Sequence, residues 1–276
     1  MGSRPVVVST PGKVILAGEH AVVYGYPAIV AAIDRHLTVS VQSSAHHKRY
    51  PDLIKFALRQ ILRTGGPVDI KVKSNLPIGS GLGSSAALAT SLVWALMPRL
   101  SVAGKNRLVK IIEDYQHGKS SGVDQTVVRE GGVLKFQKGR FKKIKLTLKQ
   151  AILIDSGRPK ETTGQMVAMV ANEGKGKILK KIGIIANQWD KGLIKDNEKL
   201  LEELGVVGNK AKRMVRQIEA IGGLAKVCGA GGVKAGSGML LAVHPHKNSL
   251  MRLIHKNHWS YLSVKLGGSG VRYGKS

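Results

Sequence analysis

The sequence is poor in cysteine, acidic residues, aromatic rings and long apolar runs, and each shortage narrows the field. With Cys228 as the one cysteine in 276 residues there is no intramolecular disulfide framework, so a reducing interior, the cytoplasm, is the expected compartment. No run approaches the ~18 consecutive apolar residues of a membrane span, and the apolar stretch at residues 6–8 is far too short for a signal-peptide core. Aromatic residues make up 4% against 43% hydrophobic residues overall. The core must therefore be built from Val, Ile, Leu and Ala, which suits helix-covered sheets better than an aromatic-rich all-β domain.

Acidic residues number 17 against 44 lysines and arginines, a formal charge of +27. Such a field draws anions: nucleotides, RNA or acidic headgroups. The basic residues are spread along the chain, denser at 135–149 and 175–181, without the interleaved aromatics of a base-stacking surface. A generally basic, solvated surface is the default reading.

Alternating patterns predict strands at 6–8, 14–16, 38–41 and 68–72. Leu53, Ile54, Ala57, Leu58, Ile61 and Leu62 recur at helical spacing before a Gly65-Gly66-Pro67 stop. A second helix carries Leu88, Leu92 and Leu96 on one face, and a third, about 106–117, should bury Leu108, Ile111, Ile112 and Tyr115. Residues 133–137 and 141–148 read as a hairpin around Lys138-Gly139-Arg140. A second half opens with a strand at 151–154 and continues with helices near 163–171, 177–190 and 210–221. A strand at 239–243, a helix at 250–255 and a strand at 260–266 close it. The expected division is residues 1–150 and 151–276.

Four stretches carry the chemistry. In Leu76-Pro-Ile-Gly-Ser-Gly-Leu-Gly-Ser-Ser-Ala-Ala-Leu88, three glycines clear space for backbone N–H groups while Ser84 and Ser85 open a helix at Ala86. A helix N-terminus with free amides is an anion site. Yet no lysine follows as in a Walker loop, and the dinucleotide spacing is absent. The second stretch, Pro11-Gly-Lys-Val-Ile-Leu-Ala-Gly-Glu-His20, places Lys13, Glu19 and His20 beside a short strand flanked by glycines. In the third, Glu113 and His117 share a helix face and Asp124 follows in a glycine-flanked loop. Carboxylates so placed can hold Mg²⁺ or orient a hydroxyl, although a lone Asp or Glu is ordinarily a surface charge. The fourth puts Gly229, Gly231, Gly232, Gly236 and Gly238 ahead of a buried strand, the pattern of a loop pressed against a ligand or another backbone.

Together these stretches resemble the GHMP superfamily of small-molecule kinases, closest to its mevalonate kinase branch. Lys13 to Gly25, K-V-I-L-A-G-E-H-A-V-V-Y-G, resembles the family's N-terminal motif, L-P-I-G-S-G-L-G-S-S-A-A its ATP phosphate loop, and S-S-G-V-D-Q-T its catalytic aspartate segment. The resemblance implies an α+β GHMP kinase fold, with a ribosomal-protein-S5-like N-terminal domain and a ferredoxin-like C-terminal domain. It implies ATP and Mg²⁺ as cofactors and phosphorylation of mevalonate. By position it makes Asp124 and Lys13 catalytic, and gives the ATP phosphates to Gly79, Ser80, Gly81, Leu82, Gly83, Ser84 and Ser85. Ser85 and Glu113 would hold the metal, and Glu19, His20, Thr162 and Gly231 would face the acceptor.

One departure stands out, since Gly229 to Gly232 continue as Val233-Lys234-Ala235-Gly236 rather than as a compact glycine run. Lys234 is expected to add positive charge near the phosphates or the acceptor carboxylate. The nearest rivals keep the fold and change the acceptor: phosphomevalonate, homoserine or a sugar. A basic nucleic-acid-binding protein is the rival of another class, and for a kinase such binding is expected only as non-specific attraction. No membrane association is expected, and a homodimer is left open.

Overall fold

The computed structural model describes residues 4–62, 66–77, 79–118, 120–171, 174–188 and 190–274. The first half opens with a long antiparallel pair, β1 (Val6–Ala17) and β2 (Ala28–Ser43), joined through a single turn of 3-10 helix at Ala21–Tyr24. The two strands expected at 6–8 and 14–16 are one, because the pairing only slips a register between Pro11 and Lys13. Such an irregularity re-aims the side chains beyond it. At its centre sits Gly12, where a methyl would collide with Leu76 Cδ2.

After β2 come α1 (Asp52–Ile61), β3 (Val68–Ser74), α2 (Ser84–Leu96), α3 (Val102–His117), α4 (Val123–Glu130) and the hairpin of β4 (Val133–Gln137) and β5 (Arg140–Lys143). Gly65 of the expected α1 stop lies outside the described residues. At 16 residues β2 is long enough to hold two partners end to end on one edge, β3 along Leu37–Ser43 and β4 along Ala28–Ala31. Alternation does the layering. Ile29, Ala31 and Ile33 enter the main core with Ala86, Ala89, Leu92 and Val93 of α2, whereas Ala28, Val30 and Ala32 pack with Val123 and Val127 of α4.

The second half contributes β6 (Gln150–Asp155), α5 (Thr163–Ala171), α6 (Gly176–Asn187), α7 (Leu193–Glu203), α8 (Asn209–Ala220), β7 (Leu224–Val227), β8 (Met239–Val243), α9 (Lys247–Lys256) and β9 (Tyr261–Lys265). The expected extension of α6 to Asp190 crosses Trp189, outside the described residues. These strands form a four-stranded antiparallel sheet in the order β7-β8-β6-β9. Its central strands are buried on both faces, which explains their uninterrupted apolar sequence. In β6, Ala151 and Leu153 join the core of the first sheet, while Ile152 and Ile154 join a second core with Met166, Leu201 and Ile218. One hydrophobic cluster thus runs across the division expected near residue 150. The chain then returns to the first sheet, where β10 (Arg272–Tyr273) pairs with β1.

Helix α3 is rotated from its expected phase. Val109, Ile112 and Glu113 are buried, whereas Ile111 and Tyr115 are exposed. The Tyr115 ring compensates by stacking on Phe56 of α1, with centroids 3.9 Å apart. Helix α2 departs from a one-faced pattern and is buried nearly all round. Leu92, fully buried at its centre, is where truncation should be felt most. Leu92→Ala is expected to lower stability by about 2–5 kcal/mol, read as a lower denaturant midpoint at unchanged slope.

Candidate active site

The functional stretches converge on one cleft of about 550 Å³, between the first sheet and the segment that follows β6. Its floor is set by Lys13, whose backbone N–H donates to the Leu82 carbonyl at 2.9 Å. The lysine stem passes beneath Gly83, where a methyl would lie 2.7 Å from Lys13 Cγ, and Gly83 also holds φ at +74°. Only glycine satisfies both demands. The buried ammonium reaches Asp124 Oδ2 at 3.1 Å.

Gly83 is also the N-cap of α2, so the helix starts at Ser84 rather than at Ala86, and no side chain caps it. Its first-turn amides are left for a ligand. Asp124 is likewise not in a loop. It occupies the first turn of α4, behind Gly122 at φ +82°, again with no side-chain cap. Two uncapped helix N-termini therefore open on the same cleft.

Within the predicted phosphate loop, Gly79, Ser80, Gly81, Gly83, Ser84 and Ser85 line the cleft. Leu82 does not: its side chain is buried in the core, and its contribution is the carbonyl that fixes Lys13. Ser80 spends its hydroxyl on the Pro77 carbonyl at 2.8 Å, holding the turn. Ser85 makes the decisive contacts, its Oγ lying 2.5 Å from Glu113 Oε1 and 2.8 Å from His117 Nε2. Burial pushes the Glu113 carboxyl up to about 7, against the Ser85 hydrogen bond and with the charge of Asp124 adding to the rise. Burial also pulls His117 below its usual range.

A hydroxyl and a carboxyl, both oxygen donors, fit Mg²⁺, and a divalent cation beside Glu113 would restore its charge. Among the described residues there is no group of three His, Cys, Asp or Glu able to hold a metal unaided. That is the usual state of affairs for Mg²⁺, which takes the rest of its shell from phosphate and water.

On the acceptor side, His20 is buried in a left-handed backbone conformation at φ 57°. Burial lowers its pKa to about 4, so the ring is neutral at pH 7. Its Nε2–H donates to the Ala230 carbonyl at 3.0 Å, leaving Nδ1 as an acceptor without a partner among the described residues. Glu19 also lines the cleft. Its carboxylate is committed to the fully buried Lys226, which also donates to the carbonyls of Ile15 and Val227, and to Asn197 Nδ2 at 3.2 Å. Glu19 thus holds the His20 turn against β7 and α7.

Thr162 lines the cleft but uses its hydroxyl and N–H on Gln165, a reciprocal cap for α5. Gly231 lies in the cleft wall. Lys234 does not reach the cleft. Its side chain is exposed, and its N–H donates to Glu161 Oε1 at 3.0 Å, so the longer glycine loop turns the lysine outward.

Sequence reasoning missed Lys226, Asn197 and Glu198, because their partners lie in distant segments. It noted His117 on the face of Glu113 without assigning it a contact. Glu198 accepts the Val227 N–H at 2.8 Å, and its other oxygen has no partner among the described residues.

The described residues include no helix long and apolar enough to cross a membrane. Residues 52–132 match the family model described as GHMP kinases N terminal domain, and residues 1–43 match the galactokinase galactose-binding signature. A mevalonate kinase of Archaeoglobus fulgidus is 32% identical, covering 82% of this chain and 89% of that protein. One from Pyrococcus furiosus is 30% identical over 88% of this chain and 90% of its own length. The crystal structure of the Methanococcus jannaschii mevalonate kinase superimposes with a TM-score of 0.80 at 25% identity, over 96% of this chain and 99% of that one.

The buried acidic cluster behind His20 yields a pH signature. Burial raises Glu198 from 4.5 to about 7, so between those values the folded protein binds a proton that the unfolded chain has released. This contribution is full below pH 4.5 and is lost as pH climbs towards 7. Relative to Glu198→Gln, the wild type should therefore lose stability across that window, measured as the pH dependence of the difference in denaturation midpoints.

Proposed function

The chain belongs to the mevalonate kinase family of the GHMP kinases, and from that membership we propose how its own residues carry the reaction. It is an ATP-dependent small-molecule kinase that converts mevalonate and ATP to 5-phosphomevalonate and ADP, a step of isoprenoid precursor synthesis. The observation that carries the assignment of roles is the Lys13–Asp124 pair, set beside Ser85 and Glu113 in one cleft.

Phosphoryl transfer asks a protein mainly for positioning and for stabilisation of developing charge. The first-turn amides of α2, offered by the glycine loop, receive the ATP phosphates. Ser85 and Glu113 would hold Mg²⁺, which would neutralise charge on the phosphate oxygens. Asp124 accepts a hydrogen bond from the acceptor hydroxyl and turns its oxygen towards the γ-phosphorus. Carboxylates are weak bases at neutral pH, so the proton moves to Asp124 as the new P–O bond forms and not before. Lys13 keeps Asp124 in place and, at the end of the loop, balances charge on the transferring group. The neutral His20 accepts from a hydroxyl of the acceptor through Nδ1.

The division at residue 150 gives each half one wall of the cleft, with the S5-like part supplying the phosphate loop and the ferredoxin-like part the segment after β6. The single buried cysteine is consistent with a cytoplasmic enzyme. Association with nucleic acid would be electrostatic and non-specific, and a homodimer is compatible with the family.

The galactose-binding signature at residues 1–43 favours one second reading, a sugar kinase on the same frame. A panel of mevalonate, phosphomevalonate, homoserine and galactose with MgATP, followed by ADP release, separates the two. Turnover is expected with mevalonate and is expected to fall about 10²- to 10⁴-fold in Asp124→Asn. Turnover of galactose without mevalonate would select the second reading.

A further inference from the structure

The phosphate loop lacks a lysine of its own, and Lys13, which runs beneath it, is already paired with Asp124. The opposite wall carries a cation that is not so committed. Arg158 follows β6 by three residues and projects across the cleft onto the first glycine of the loop. A methyl on Gly79 would stand 3.0 Å from Arg158 Nε and 3.4 Å from both Cζ and Nη2, so the guanidinium lies against bare backbone. Gly79 also holds φ at +72°, which keeps a side chain from intruding.

The arginine is exposed to the cleft, and among the described residues it has no hydrogen bond and no ion pair. Arg129 and Arg216, by contrast, are each taken up by carboxylates. An uncommitted guanidinium beside converging backbone amides is suited to bidentate recognition of phosphate oxygens. Lys160, two residues further on, lines the same cleft, but a lysine would offer only a point charge.

We propose that Arg158 is a ligand of the ATP β- and γ-phosphates, supplying from the second half of the chain the cation that the loop omits. The proposal rests on the kinase reading for the identity of the anion. It places Arg158 over the outer end of the loop, with Ser85 at the inner end where the helix begins. Closure of the two walls on a nucleotide would then be favoured by the phosphates themselves.

The test is calorimetric titration of wild type, Arg158→Gln and Arg158→Lys with ATP, ADP and AMP in Mg²⁺ buffer, with no acceptor present. Arg158→Gln is expected to weaken ATP and ADP about 10- to 100-fold, the loss of a charged hydrogen-bonding group, and to leave AMP unchanged. Arg158→Lys should recover part of the affinity. Because Arg158 is exposed and unpaired, the denaturation midpoint should not move. Unchanged ATP affinity in Arg158→Gln overturns the proposal, as does an equal loss for AMP. A rise in the mevalonate KM with ATP binding intact would assign the guanidinium to the acceptor instead. If the wild type binds ATP yet turns over no acceptor, the kinase reading fails while the role of Arg158 is still decided by the titrations.

Discussion

Lys13 is the residue on which the cleft depends. Its main chain fixes the phosphate loop through Leu82, its stem runs through the space that Gly83 leaves open, and its ammonium holds Asp124 at the start of α4. Three segments that are far apart in sequence are thereby referred to one side chain. A buried ammonium cannot be left without a partner, because the desolvation that is tolerable for a pair is not tolerable for an isolated charge. In the proposed mechanism the same requirement sets where the acceptor hydroxyl lies, since Asp124 has little freedom to move while it neutralises Lys13. The register slip at Gly12, immediately before the lysine, belongs to this arrangement.

The +27 charge acts at a different range. Screening confines exposed charges to about 8–10 Å at physiological salt, so the dispersed lysines do little to bound ligand. They raise the local concentration of anionic substrates and speed their approach. Inside the cleft, on the proposed reading, the work passes to groups of fixed position: the amides at the starts of α2 and α4, the Lys13–Asp124 pair and Arg158. Attraction is diffuse and recognition is local, which is why a strongly basic surface need not imply a nucleic-acid partner.

What could be read from the sequence was what is local. The hairpin strand β4 and helix α5 fall where period and turn residues put them, and the cleft residues lie in short contiguous motifs. Helix α4 reads as a loop because its N-cap is a left-handed glycine without a capping side chain, so the usual start signal is missing. Helix α7 and strand β7 escaped for a related reason. They bury Asn197, Glu198 and Lys226, polar residues that break the apolar pattern and become intelligible only beside Glu19, 207 residues from Lys226. The ion pair that commits Glu19 is not legible locally, and Lys234 reads as facing the cleft because the outward turn of the glycine loop is not encoded nearby. Periodicity also misjudges α3, which buries Glu113 beside Val109 and Ile112 and leaves Tyr115 to stack on Phe56 at the surface.

The pairing of β10 with β1 has a consequence for how the molecule is made. Val8 is matched to Tyr273 and Ser9 to Arg272, and the Tyr273 hydroxyl donates to the Trp94 carbonyl at 3.1 Å. During synthesis the edge of β1 at Val8 and Ser9 must therefore wait, unpaired, until Arg272 and Tyr273 have been added. Contacts between such remote segments are the slowest to form, and an open strand edge in the interim invites pairing with another chain. The exposure to misassembly thus falls on the strand that also carries Lys13, the segment that the cleft can least do without.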